Sequence, residues 1–270
     1  MSNFGYNLLG FGSSANTAVD LPSDDEFNRV SFLSHFDGAN NGVNNVFDDG
    51  SASNHTITAN GNVTQGSFGP FARPDGEWAN YFDGTGDFLT APASSDFAAG
   101  TGDFTVEYWL FPTDWSQTYH PNYIVGANGG LWIGKLSSNF AVHAFNGTTQ
   151  LIHGTLPTLN SWTHIAVSRS GTLLKLFYNG INVSTATSSH DFVQGELRIG
   201  NDNISSGNYT KGSMSNVRYV KGTAVYTGNF TPSTSPLTAV TNTKLLTCQS
   251  NRFVDNSASA HTITPVADAS

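Results

Sequence analysis

At 270 residues with a formal net charge of -9, the chain can bury a full core and is too acidic for phosphate-backbone binding. Its 11 Lys and Arg are scattered, and no apolar stretch reaches the length of a membrane span, so nucleic-acid and membrane partners are excluded. The single cysteine, Cys248, excludes an intramolecular disulfide and any multi-cysteine metal cluster, which fits folding in a reducing cytoplasm.

Residues 1–27 read as an extended anchoring arm. Phe4, Tyr6, Leu8, Leu9 and Phe11 supply large apolar side chains with no clean period of 2 or 3.6, and an acidic run from Asp20 to Asp25 follows. Met1 to Ala15 lacks a basic n-region, so it is not expected to be a signal peptide. Strand signals begin at Arg29–Phe36. Asp103–Phe111 places Phe104, Val106, Tyr108 and Leu110 on one face, and Phe140–Phe145 is a short strand. Trp162–Arg169 and Leu173–Gly180 form a hairpin around Ser170-Gly171. Asn179-Gly180, a strong hairpin signal, leads into Ile181–Thr187. Gly195–Asn201 and Gly212–Gly222 complete the series, and Pro232 and Pro236 mark a stiff connection. Short strands with turns every 8 to 12 residues, and no helical period beyond two turns, predict an all-β antiparallel sandwich.

One phrase occurs twice: SASNHTIT at Ser51–Thr58 and SASAHTIT at Ser257–Thr264. The flanks match as well, Phe47-Asp48-Asp49-Gly50 beside Phe253-Val254-Asp255-Asn256. A repeated start suggests that 239–270 is a partial repeat. It is expected to pack on the sandwich, with a neighbouring subunit as the alternative.

FDGTGDFLT (Phe82–Thr90), GDFTVEYWL (Gly102–Leu110), SWTHIAVSR (Ser161–Arg169), LKLFYNGINV (Leu174–Val183) and LRIGN (Leu197–Asn201) follow one another in this order. Together with Gly212–Thr238, they make residues 28–238 resemble the laminin-G-like, concanavalin A-like jelly rolls. HFDG (His35–Gly38), VKGTAVYTGNFTP (Val220–Pro232) and TCQSNRFVDNS (Thr247–Ser257) are similar to phrases of the laminin-G-like proteins encoded by marine bacteriophages. That resemblance implies a virion surface protein, most simply a capsid decoration or surface appendage. It would be a homo-oligomer with the major capsid protein or other virion proteins as partners.

Glycoside hydrolases on such folds use paired carboxylates on one strand, because two acids must bracket the glycosidic bond. None of the four glutamates carries that pattern; Glu107, on the Phe104–Leu110 strand, is the sole candidate, and it lacks a sequence partner. It is expected to face solvent, so the chain reads as non-enzymatic. A glycan-binding adsorption module that recognises host surface polysaccharide is the alternative function, and a glycoside hydrolase the weaker one. Sugar rings stack on exposed aromatics flanked by amides and acids. Trp115, Tyr119 and Tyr123, in the loop-rich stretch Thr113–Tyr123, and Asp202, Asn203 and Tyr209 are the candidates. Trp109, Trp132 and Trp162 are expected in the core, and His164 is expected to satisfy a local acceptor. Asp48, Asp49, Asp83 and Asp87, in Gly- and Asn-rich turns, are candidate Ca2+ ligands, since calcium takes oxygens from acidic turns.

Overall fold

The computed structural model describes residues 68–71, 78–145, 150–202, 208–249, 253–267 and 269. The expected arm with Phe4, Tyr6, Leu8, Leu9 and Phe11 lies outside the described residues, as do the Arg29–Phe36 strand, the first repeat copy with Asp48 and Asp49, and Asn203. The described residues belong to the second of two units, Ser67–Ser270, which includes the C-terminal repeat.

Alternating apolar residues and positive-φ turns build fourteen strands among the described residues. The first seven are β1 (Asn80–Asp83), β2 (Phe88–Ala91), β3 (Phe104–Pro112), β4 (Tyr119–Val125), β5 (Leu131–Leu136), β6 (Asn139–Ala144) and β7 (Gln150–Gly154). The second seven are β8 (Thr163–Ser170), β9 (Leu173–Tyr178), β10 (Ile181–Thr187), β11 (Leu197–Ile199), β12 (Lys211–Lys221), β13 (Thr243–Thr247) and β14 (Thr264–Val266). They form two antiparallel seven-stranded sheets, as the sequence pattern predicts. Sheet 1 runs β1-β12-β3-β8-β9-β10, with β13 also on β12, and sheet 2 runs β14-β2-β11-β4-β5-β6-β7. The β9–β10 turn has φ of 47° at Asn179 and 79° at Gly180, the double positive value that makes Asn-Gly the preferred pair there.

The core lies between the sheets. Phe104, Val106, Tyr108 and Leu110 face inward from β3, and Tyr123, Val125, Ile133, Phe140 and Val142 come from sheet 2, all fully buried. Each such side chain contributes about 1.5–3 kcal/mol of transfer free energy. The odd residues of β3, Thr105, Glu107, Trp109 and Phe111, therefore point to the outer face of sheet 1. The tryptophans differ from expectation. Trp109 and Trp162 are half-buried on that outer side, with Phe71 and Phe68 respectively against their rings. Trp132 is buried with Ile124 and Phe145 in a cluster separate from the main core.

The stretch read as loop up to Tyr123 is also different, since Tyr119–Val125 is strand β4. Pro121 masks it in sequence. The proline has no amide to donate to the ladder and sits where the β4–β5 register shifts, the place a sheet tolerates it.

The segment after Thr238 stays with this sandwich. β13 pairs with the second half of β12, Val217–Val220, while β1 pairs with its first half, and β14 pairs with β2. Asp255 fixes the chain between them. Its Oδ1 accepts from the amides of Leu246 and Ser257 (both 2.9 Å), and its Oδ2 accepts from Ser257 Oγ (3.0 Å) and the His261 amide (2.9 Å). This carboxylate gives the repeated Asp-x-Ser-x-x-x-His phrase a structural role in its second copy. The expected pairing with Phe47–Thr64 lies outside the described residues.

Candidate functional site

Three connections meet at one end of the sandwich: Asp83–Asp87 between β1 and β2, Thr113–Thr118 between β3 and β4, and the β11–β12 connection that contains Tyr209. Gln117 clips them together. Its Nε2 donates to Gly84 O (3.1 Å), and its Oε1 accepts from the Tyr209 amide at 3.4 Å. Lys211 adds an ion pair with Asp114 (3.5 Å), and its carbonyl accepts from the Thr113 amide (3.1 Å). Below the clip, Thr210 Oγ1 donates to Pro121 O (2.6 Å) and accepts from Asn122 Nδ2 (2.9 Å), tying the connection to β4.

Trp115, Tyr119 and Tyr209 share this end. Tyr119 is the most open, at 38% exposure. Trp115 is half-buried and fixed in angle: its indole N–H donates to Pro157 O (2.9 Å), and its ring meets the edge of His120 at 5.0 Å and 79°. His120 is buried beneath it. Burial and the Lys135 charge lower the His120 pKa from 6.5 to about 4, so the ring is neutral at physiological pH. Burial also lowers the Lys135 pKa, and its ammonium donates to the Gln117 carbonyl and to Thr118 O (3.2 Å).

The remaining candidates are structural or outside the described set. Tyr123 is fully buried in the core, a correction to its expected place on a loop; as the next inward position after the Pro121 irregularity, it has no free face for a sugar. Asp202 is buried too, and its carboxylate accepts from Asn208 Nδ2 (3.2 and 3.0 Å). Asp83 and Asp87 close their own turn: Asp87 Oδ2 accepts from the Asp83 amide (3.0 Å), and Asp83 Oδ1 accepts from the Thr85 amide (2.6 Å). Among the described residues no group of three or more His, Cys, Asp or Glu is placed to hold a metal.

Glu107 contradicts its expected solvent-facing place. It is fully buried on the outer face of sheet 1, beneath the chain that follows β12. Arg218 donates to its Oε1 from Nε (2.9 Å) and Nη2 (2.5 Å). Tyr226 OH donates to Oε2 (2.8 Å), and His164 Nε2 lies 3.1 Å from the same oxygen. Burial would raise the Glu107 pKa. The His164 hydrogen bond and the Arg218 charge override it and hold the carboxyl below its ordinary range. Tyr226 stacks on Phe230 (3.6 Å between centroids, 6° between planes), closing the cluster from outside. Both carboxylate oxygens are occupied and, among the described residues, no second acid hydrogen-bonds or pairs with the cluster, so these residues supply no acid and nucleophile pair for glycoside hydrolysis.

Sequence reasoning missed Gln117, Arg218 and Tyr226. Arg218 and Tyr226 lie 111 and 119 residues from Glu107 in sequence, and no local pattern signals such pairs.

A laminin-G family model of the concanavalin A-like lectin/glucanases superfamily matches residues 83–238, more than half of the chain. The chain belongs to the concanavalin A-like lectin/glucanase superfamily. No characterised protein sequence matches it. Among solved structures it resembles a candidate carbohydrate-binding protein from Bacteroides ovatus, with 15% identity and a TM-score of 0.53 over 73% of this chain and 61% of that one. Domain 4 of an extracellular GH43 arabinanase from Geobacillus stearothermophilus, solved with arabinotriose, matches at 19% identity and a TM-score of 0.45, over 69% of this chain and 91% of that one. Domains LG4-5 of the mouse laminin α1 chain match at 12% identity and a TM-score of 0.41, over 61% and 48%. The chain thus spans about three fifths of the Bacteroides protein, and that likeness concerns the fold.

Proposed function

We propose that this sandwich is a non-enzymatic carbohydrate-binding module whose contact surface is the loop end around Tyr119. The observation that carries the reading is the contrast between acids and aromatics. The strand glutamate expected of a hydrolase is sealed and saturated, whereas Tyr119, Trp115 and Tyr209 lie on or beside the connections that Gln117 clips together. Tyr119 offers an open ring, and Trp115 a ring fixed in angle by its bond to Pro157. Rings held this way stack on the C–H face of a sugar with little loss of side-chain entropy, and Asp114 and Lys211 at the rim can bond hydroxyls. Superfamily membership and the likeness to a candidate carbohydrate-binding protein support the same class.

The test is retention of the whole chain on an array of bacterial polysaccharides. The Tyr119→Ala/Tyr209→Ala variant, checked for an unchanged melting profile, should lose at least ten-fold in signal on every glycan held through this end. Full retention by the variant would remove the loop end as the site. Failure of the parent chain to bind any glycan would remove the function.

Display on a phage particle as an oligomer, bound to the major capsid protein through residues 1–27, is the finer form of this proposal. Its support is the set of phrases at His35–Gly38, Val220–Pro232 and Thr247–Ser257. Many copies on one particle would turn a weak sugar contact into avid adsorption to host surface polysaccharide. A chain starting at Asn28 that still occupied purified particles fully would contradict the anchoring role.

A further inference from the structure

We propose that a pocket on the outer face of sheet 1, floored by Trp109, is a second carbohydrate subsite that takes one neutral pyranose residue. The proposal rests on the glycan-binding reading above but uses different residues.

The pocket follows from three local features. Trp109 points outward because its neighbours Tyr108 and Leu110 point into the core. Phe71 stands edge-on to it, with ring centroids 5.7 Å apart and planes at 81°. The opposite wall is the chain after β12. It is held beside the β9–β10 turn by the Phe230 amide donating to Gly180 O (2.9 Å) and by Asn229 Oδ1 accepting from the Asn182 amide (2.8 Å). Glycine is required at Gly180, where φ is positive and a Cβ would fall on the Phe230 carbonyl. Thr231, Ser233 and Thr234 then line the pocket beyond Pro232, and Asn179 lines its turn side.

The chemistry of this lining selects the ligand class. The volume is about 450 Å³, within the range of about 300–1,000 Å³ found for small-molecule sites. The described lining is aromatic rings, proline, hydroxyls and one amide, with no charged side chain, which suits a neutral ligand with an apolar face and a hydroxyl rim. Trp109 lines the floor, and an indole offers the flat apolar surface on which the C–H face of a sugar stacks. Asn179 is pre-set, because its Oδ1 already accepts from the His164 amide (2.9 Å).

The experiment is calorimetric titration of the full chain with four probes: cellotetraose, maltotetraose, xylotetraose and mannotetraose. It is repeated with Thr231→Trp, which fills the pocket from an exposed position, and with Tyr119→Ala/Tyr209→Ala. Thermal melts confirm that each variant is folded, and Thr234→Trp replaces Thr231→Trp should the latter not fold. The expected result is at least ten-fold weaker binding of one or more probes to the filled variant, with that binding persisting in the loop-end variant. Unchanged affinity for every probe in the filled variant, with loss only in the loop-end variant, overturns the pocket and leaves the glycan-binding function standing. No binding of any probe by the parent chain at millimolar concentration also overturns the pocket, while the function is decided separately on the polysaccharide array.

Discussion

On the outer face of sheet 1, Glu107 meets Arg218, His164 and Tyr226 with no solvent between them. At the loop end, Tyr119, Trp115 and Tyr209 sit beside Asp114, Gln117 and Lys211, all at least partly open. Both regions combine charge with aromatic rings, and their burial separates their roles. Each Glu107 oxygen is taken by a partner from a distant stretch of chain, so the cluster's product is cohesion: it fastens the chain after β12 onto the sheet. The loop end uses one glutamine to hold three connections together and leaves Tyr119 exposed. A group that must meet a ligand cannot also be saturated by the fold.

Removing one partner of the sealed cluster should have the largest effect. Arg218→Met leaves the Glu107 charge buried without its main counterion and should cost about 3–5 kcal/mol in urea unfolding. Glu107→Gln on that background should recover much of the loss, because the uncompensated charge is gone.

The two regions should also separate in pH. Glu107 has a folded-state pKa below its ordinary 4.5, so its contribution is complete above that value and is lost as pH falls through the folded value. The His120 pKa is lowered from 6.5 to about 4, so the unfolded chain takes up the proton first, and stability drains as pH falls from 6.5 to about 4. Unfolding free energy measured against pH should therefore flatten below 4.5 in Glu107→Gln and between 6.5 and about 4 in His120→Asn. Identical slopes in parent and variants would contradict these assignments.

Asp255 extends the sealed class to the C-terminal repeat. Asp255→Ala removes four hydrogen bonds to one buried carboxylate and should cost about 2–4 kcal/mol in the same unfolding assay. At the loop end, Gln117→Ala should cost only about 0.5–1.5 kcal/mol, since its two bonds lie at a partly open rim. Tyr119→Ala should change stability least, within about 0.5 kcal/mol, while reducing glycan retention at least ten-fold. A Tyr119 variant as damaging to stability as Arg218→Met would erase the distinction between the two regions.

Much of the fold was legible in the sequence because β-structure writes its period locally. The inward set of β3, the Ser170-Gly171 hairpin and the Asn179-Gly180 turn all come from neighbours in sequence. β4 was hidden because Pro121 is a strand breaker everywhere except at an irregularity, and only the tertiary ladder reveals one there. The same slip put Tyr123 on a loop when the sheet turns it inward. Trp115, Tyr119 and Tyr209 were legible as aromatics near turns, but the clip that joins their connections depends on Gln117, an unremarkable polar residue in sequence. Glu107 was misread for a related reason. Alternation correctly sends it away from the core, and nothing local shows that Thr223–Thr238 will cover that face.

The proposed function requires that the chain hold a glycan without cleaving it. The most direct measurement is affinity electrophoresis of the chain in gels containing the polysaccharides that retain it, with polysaccharide length determined after prolonged incubation. Retarded migration of the parent chain and unchanged polysaccharide length are expected. Shortened polysaccharide, with new reducing ends that vanish in Glu107→Gln, would contradict that function and make the sealed cluster an active site.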